Sequence, residues 1–127
     1  MSRRLLVTTV TSVAALLSVA PSAAQDVTTG GYINGERLIT RCTSVDHLDG
    51  ALCLAYILGV ADSMQAAQAS GGTLLFEWRT CPPPGTMAER LEDIVVRFLT
   101  AHPETQRSSA SGLVAKALND AFPCPPQ

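Results

Sequence analysis

Charge is scarce in this sequence. Asp, Glu, Lys and Arg make up 16% of its 127 residues, and aromatic side chains only 5%. Nine basic residues are outnumbered by eleven acidic ones, a formal net charge of −2. That balance argues against a nucleic-acid partner, because phosphate binding needs a basic excess that displaces counterions. There is no C-x-x-C pair, no G-x-S-x-G turn and no Gly-rich loop placed to cradle phosphate. The usual carriers of zinc-ribbon, serine-hydrolase and nucleotide chemistry are therefore missing. Internal repeats, heptads and low-complexity tracts are missing too. What the chain has in quantity is apolar residues, 46% of the total. A chain this apolar and this lightly charged folds rather than staying disordered. Its length allows one domain.

Residues 1–24 read as a secretory signal peptide. Arg3 and Arg4 supply the positive start, Leu5 to Val19 the apolar stretch, and Ser22-Ala23-Ala24 the small residues before a cut ahead of Gln25. The apolar stretch is too short to cross a bilayer comfortably, and no cysteine follows it to take a lipid. The expected product, residues 25–127, is a mildly acidic periplasmic domain with no membrane span.

Four cysteines, Cys42, Cys53, Cys81 and Cys124, lie in that product. An even count in a small exported domain points to two disulfides, with three connectivities open. The preferred pairing joins Cys42 to Cys53 and Cys81 to Cys124. Were residues 42–53 one continuous helix, the first pair would sit about 16 Å apart. A disulfide needs about 7 Å or less, so the helix must break, and Asp49-Gly50 is the expected break. The second bond ties Cys81-Pro82-Pro83-Pro84 to the chain end. Chain entropy values the two at about 3 and about 4 kcal/mol. Cys42, His47 and Cys53 as metal ligands match no common zinc spacing, and no metal or other cofactor is expected.

Helical signals follow one another along the chain. Asn34 can cap a short helix to Arg41, with Leu38 and Ile39 inward. Gly50 to Ala61 is the most apolar stretch, and Gln65 and Gln68 continue it to Ser70-Gly71-Gly72. Leu48, Leu52, Ala55, Gly59, Asp62 and Ala66 form one seam of this helix; Cys53, Ile57, Val60, Met64 and Ala67 form another. Apolar on most sides, it should be central, packed by neighbours and too short to span a membrane. Thr73 to Thr80 reads as a loop or short extended piece. Thr86 and Glu89 make a capping box for a helix to Ala101. Its inward face is Met87, Leu91, Ile94, Val95, Phe98 and Leu99, with Glu89, Arg90, Asp93 and Arg97 outward. Ser108 or Ser109 starts a last helix that buries Ala110, Leu113, Val114, Ala117, Leu118 and Ala121. The fold class is all-α: a small bundle of three to four helices stapled by two disulfides.

The sequence offers little for catalysis. His47 sits in a loop with Asp46 and Asp49. His102 sits before Pro103 at a helix end, where capping is the natural role. No constellation of matched acid, base and nucleophile forms, so no catalytic residue is assigned and the chain is read as a non-enzyme. Gly59, inside a helix at a cost of about 1 kcal/mol, suggests close approach of another backbone. Asp62 on an apolar helix suggests a buried polar tie, with direct contact to a partner as the alternative reading of both residues. Trp78, flanked by Glu77 and Arg79 and preceded by Phe76, is a candidate anchor for a protein interface, or a lid folded back on the bundle.

Taken together, these elements have a recognisable order. Leu38-Ile39-Thr40-Arg41-Cys42 is followed by Cys53-Leu54-Ala55-Tyr56-Ile57-Leu58-Gly59-Val60-Ala61-Asp62. Then come Cys81-Pro82, a helix ending Phe98-Leu99-Thr100-Ala101-His102-Pro103, and Phe122-Pro123-Cys124-Pro125. The pattern resembles the resistance-associated and type VI amidase immunity family of bacterial periplasmic proteins. That resemblance implies an all-helical, disulfide-bonded protein that binds a peptidoglycan amidase effector of type VI secretion and occludes its active site. It also implies homodimers. Cys42, Cys53, Tyr56, Gly59, Asp62, Cys81 and Cys124 match the family pattern, mainly as scaffold positions. The segment 70–80 looks longer and more apolar than the pattern requires. The alternative reading is a periplasmic acid-stress chaperone that exposes apolar surface when its carboxylates protonate.

Overall fold

A computed structural model describes residues 31–71 and 78–126. Residues 1–30, which include the expected signal peptide, and residues 72–77, which include Leu74, Leu75, Phe76 and Glu77, lie outside the described residues. Among the described residues four α-helices follow in order: α1 (Gly35–Cys42), α2 (His47–Ala69), α3 (Ala88–Ala101) and α4 (Ala110–Ala121), with a 3-10 turn at Pro103–Thr105. Among the described residues there is no strand, only an isolated bridge between Asn34 and Ser109. The all-α bundle is the expected one.

Local chemistry explains the first helix. The Asn34 side chain accepts a hydrogen bond from the Arg37 amide at 3.0 Å, satisfying one of the orphan donors of a helix start. Two more are met from a distance: Gly35 N donates to Ser108 O and Glu36 N to Gln106 O. The turn before α4 thus forms the floor on which α1 starts. Space there is tight: a Cβ on Gly35 would sit 2.5 Å from Leu113 Cδ1 and 3.1 Å from the Gln106 backbone, so a larger residue forces both to shift.

The start of the second helix differs from expectation. The chain breaks at Thr43–Asp46, not at Asp49-Gly50, and α2 runs unbroken from His47 through both of those residues. Asp46 is the cap: its carboxylate accepts from Leu48 N at 2.7 Å and Asp49 N at 3.4 Å. Both positions carry break-prone residues, but Asp46 leaves room for the chain to fold back and still bring Cys42 to Cys53. Their Cα atoms are 5.1 Å apart, and the bond forms as expected. Cys81 and Cys124, 5.0 Å apart, form the second.

The third helix opens without the expected capping box. Met87 occupies the cap position and gives no side-chain hydrogen bond. The Thr86 hydroxyl instead donates to Pro83 O at 2.7 Å, closing a proline turn that Gly85 completes with φ +83°, a left-handed conformation suited to glycine. Met87 is correspondingly 69% exposed rather than inward. At the other end His102 caps as expected, its Nδ1 donating to Phe98 O at 2.9 Å. In α4 the expected apolar face is buried except for Ala121, which lies exposed in the last turn.

One core joins all four helices. Leu38, Cys53, Ile57, Ala61, Val95, Leu99, Ala110, Leu113, Val114, Ala117 and Leu118 make it up. Tyr56, Leu91, Ile94, Phe98 and Phe122 pack around it, half buried. The longest helix is less covered than its composition suggests. Of the 23 residues of α2, Cys53, Ile57, Ala61 and Met64 are buried. By length and composition alone α2 is long and apolar enough to cross a membrane, because it gains residues at both ends over the apolar stretch read from the sequence.

Candidate protein-binding surface

The outer face of α2 is left uncovered by the other described helices. Its seam of Leu48, Leu52, Ala55, Gly59, Asp62 and Ala66 is exposed along its whole length. Leu48 is 67% and Leu52 41% exposed, and Val45 in the preceding turn is fully so. The seam was expected to be packed by neighbours. The other three helices instead take the Cys53–Ile57–Met64 side and leave this one to solvent, since a bundle of this size covers one side of its longest helix.

Gly59 and Asp62 therefore do not play the packing roles expected of them. Among the described residues a Cβ at Gly59 would meet nothing within 4 Å, so no described backbone approaches it. Asp62 is exposed, and among the described residues the only ion pair is Lys116–Asp120. Tyr56 lies half buried beside the core. Burial raises its phenol above the usual range, opposed by hydrogen bonding to the side chain and backbone of Ser111. This contact runs from α2 to α4.

A second surface is organised around Thr80, a buried polar residue that sequence reasoning missed. Its amide donates to Gln68 Oε1 at 2.8 Å, and its carbonyl accepts from Gln68 Nε2 at 3.0 Å and Gln65 Nε2 at 3.4 Å. Its hydroxyl donates to Leu118 O at 3.1 Å. Cys81 N donates to Phe122 O beside the second disulfide. The two glutamines, three residues apart on one helix face, were the only sequence signal for this clamp. It fixes the base of the Trp78-Arg79 segment. Lys116 Nζ lies 5.9 Å from the Trp78 ring centre and 2.8 Å from Asp120. Trp78 and Arg79 are half buried, and Arg79 Nε is buried without a hydrogen bond. Of the four candidate partner-binding residues, Trp78 and Arg79 are placed against the bundle; Phe76 and Glu77 fall outside the described residues.

Elsewhere, Glu36, Arg37, Thr40, Arg41 and Asp49 line an open groove of about 370 Å3 between α1 and the first turn of α2. Among the described residues no three His, Cys, Asp or Glu side chains converge to hold a metal ion. His47 begins α2 and His102 ends α3.

Among the curated proteins, nothing matches this chain. A family model does: that of the Rap1a immunity proteins matches residues 34–124, from the cap of α1 to the last cysteine. The match takes in all four helices and both disulfides, and on that ground the chain belongs to the Rap1a immunity protein family.

Proposed function

We propose that this protein is an exported immunity protein that binds a peptidoglycan amidase effector of type VI secretion and covers its active-site cleft. The observation that carries the proposal is the family match over residues 34–124. Two further features support it. Both disulfides staple the bundle, which suits an oxidising compartment such as the periplasm. Large apolar side chains stand exposed on one helix of a protein with few charges, which suits a protein-binding surface. On this reading the chain acts by association, without turnover of its own, and reaches the periplasm through removal of residues 1–24.

The test mixes the purified mature chain with peptidoglycan amidase effectors of type VI secretion from the same genome and follows peptidoglycan cleavage. The expected result is stoichiometric complex formation and loss of cleavage. Full cleavage in the presence of a tenfold excess of the folded chain would overturn the proposal. N-terminal sequencing of the periplasmic fraction reads the export step, with Gln25 as the expected first residue.

A further inference from the structure

The two disulfides stand in different surroundings. Cys42 ends α1 and Cys53 lies in the second turn of α2, so both sulfurs of that bond are carried on packed helices. Cys53 has no exposed surface and belongs to the core, with Cys42 packed against it. Cys81 and Cys124 belong to no helix and lie outside the core. Cys81 is exposed and Cys124 half-buried. A reductant in solution therefore meets the second bond with the helices in place, and meets the first only after they part.

What each bond holds differs as well. The Phe122 amide donates to Leu118 O, and the Phe122 carbonyl accepts from Cys81 N. Beyond that point no hydrogen bond or ion pair among the described residues holds Pro123 to Pro126. Three of those four residues are proline, with no amide hydrogen to give. The sulfur bridge is what fastens this tail to the bundle. Its other end is anchored independently. Thr80, next to Cys81, is buried and bonded to Gln65, Gln68 and Leu118. Opening the bridge frees the tail from Pro123 onward and leaves Cys81 where it stands.

We infer that the Cys81–Cys124 bond is a thiol-exchange site, opened by dithiol reductants while the bundle stays folded and Cys42–Cys53 stays closed. This inference stands apart from the immunity reading. A thiolate of the reductant attacks the sulfur of exposed Cys81; the bond to Cys124 breaks, and Cys124 leaves as a thiolate that takes a proton from water. The second thiol of the reductant, as thiolate, then attacks the reductant's own sulfur in the mixed disulfide, and Cys81 leaves to become a thiol. The reductant ends as its disulfide, having given up two electrons and two protons, and the protein pair has gained both. Cys124 is then a thiol on a short proline-bounded tail, free to exchange with another disulfide, and the tail follows the thiol–disulfide balance of the compartment while the core does not.

The experiment uses the native, oxidised chain. It is exposed to dithiothreitol, sampled into iodoacetamide at intervals, and mapped by mass spectrometry. Cys81 and Cys124 are expected to take up label at least about tenfold faster than Cys42 and Cys53. Equal rates, or faster labelling of Cys42 and Cys53, overturn the inference. The rates are repeated in urea below the unfolding transition. Opening with the bundle in place leaves the Cys81–Cys124 rate within about twofold; a rate that climbs with the unfolded population shows that global unfolding exposes the bond, and overturns the inference. Circular dichroism of the chain reduced at this bond alone is expected to keep the helical signal of the oxidised chain. The double variant Cys81→Ser with Cys124→Ser, which lacks the bond from the start, is expected to keep it too, with no free thiol. Loss of the helical signal in either form overturns the inference.

Discussion

Gln68 holds both backbone groups of Thr80, accepting from its amide at 2.8 Å and donating to its carbonyl at 3.0 Å. A glutamine amide presents an acceptor and a donor side by side, so one side chain mimics the edge of a strand. The stretch between the two residues is thereby closed at its base, and Thr80 is set for Cys81 to reach Cys124.

Gln68→Ala removes both bonds, leaving the Thr80 amide unpaired and its carbonyl with the longer bond from Gln65 Nε2 at 3.4 Å. The expected loss is about 1–3 kcal/mol, read as a lower urea midpoint with unchanged slope. Gln68→Glu should cost more than a single bond, because it sets a carboxylate oxygen against the Thr80 carbonyl.

Gly35→Ala forces a methyl against Leu113 Cδ1 and the Gln106 backbone. The expected destabilisation is about 1–3 kcal/mol. The same change at Gly59 should stabilise. The pair, compared by thermal unfolding, separates a glycine required by the fold from one that is not.

Opening the disulfides should destabilise unequally. The Cys42–Cys53 bond spans 11 residues and the Cys81–Cys124 bond 43, so chain entropy predicts losses of about 3 and about 4 kcal/mol. Cys42→Ser with Cys53→Ser, and Cys81→Ser with Cys124→Ser, compared in urea without reductant, measure each bond. A thiol assay on the native chain should find no free thiol.

Alkaline pH should weaken the fold through Tyr56. Its folded-state pKa is raised by burial, so the folded state favours the neutral phenol more than the unfolded state does. That contribution is fully present below the unfolded value of about 10 and is lost as pH rises from there through the folded value. Tyr56→Phe should flatten the dependence of unfolding free energy on pH above about 10 while losing the Ser111 hydrogen bond at all pH values.

Trp78 is the only tryptophan, so fluorescence reports one site. Lys116→Ala removes the cation near its ring and the exposed pair with Asp120. The emission should shift, and stability should change by less than about 1 kcal/mol.

Much of the architecture could be read from the chain because its signals are local. Asn34 caps, Pro103 stops, and the four cysteines form the preferred pairing. The start of α2 could not be fixed the same way: Asp46 and Asp49-Gly50 both carry break-prone chemistry, and only the path that joins Cys42 to Cys53 separates them. Thr86 and Glu89 have the letters of a capping box, but the prolines before them give the Thr86 hydroxyl a nearer acceptor. The candidate surface was harder still. Leu48, Leu52 and Gly59 look like core residues in a linear string, and whether a helix face is covered depends on how many other helices there are to cover it. Thr80 carries no local signal for burial at all; its partners are 12 and 38 residues away.

The bond between Cys81 and Cys124 encloses α3 and α4 within one covalent ring. A protease that cuts the exposed turn at Pro103–Thr105 would sever the chain there without releasing a fragment, and the mass would fall only after a reductant is added. Pulled from its two termini, the molecule would lengthen by what lies outside this ring and the smaller one closed by Cys42 and Cys53, and its last two helices would bear no tension.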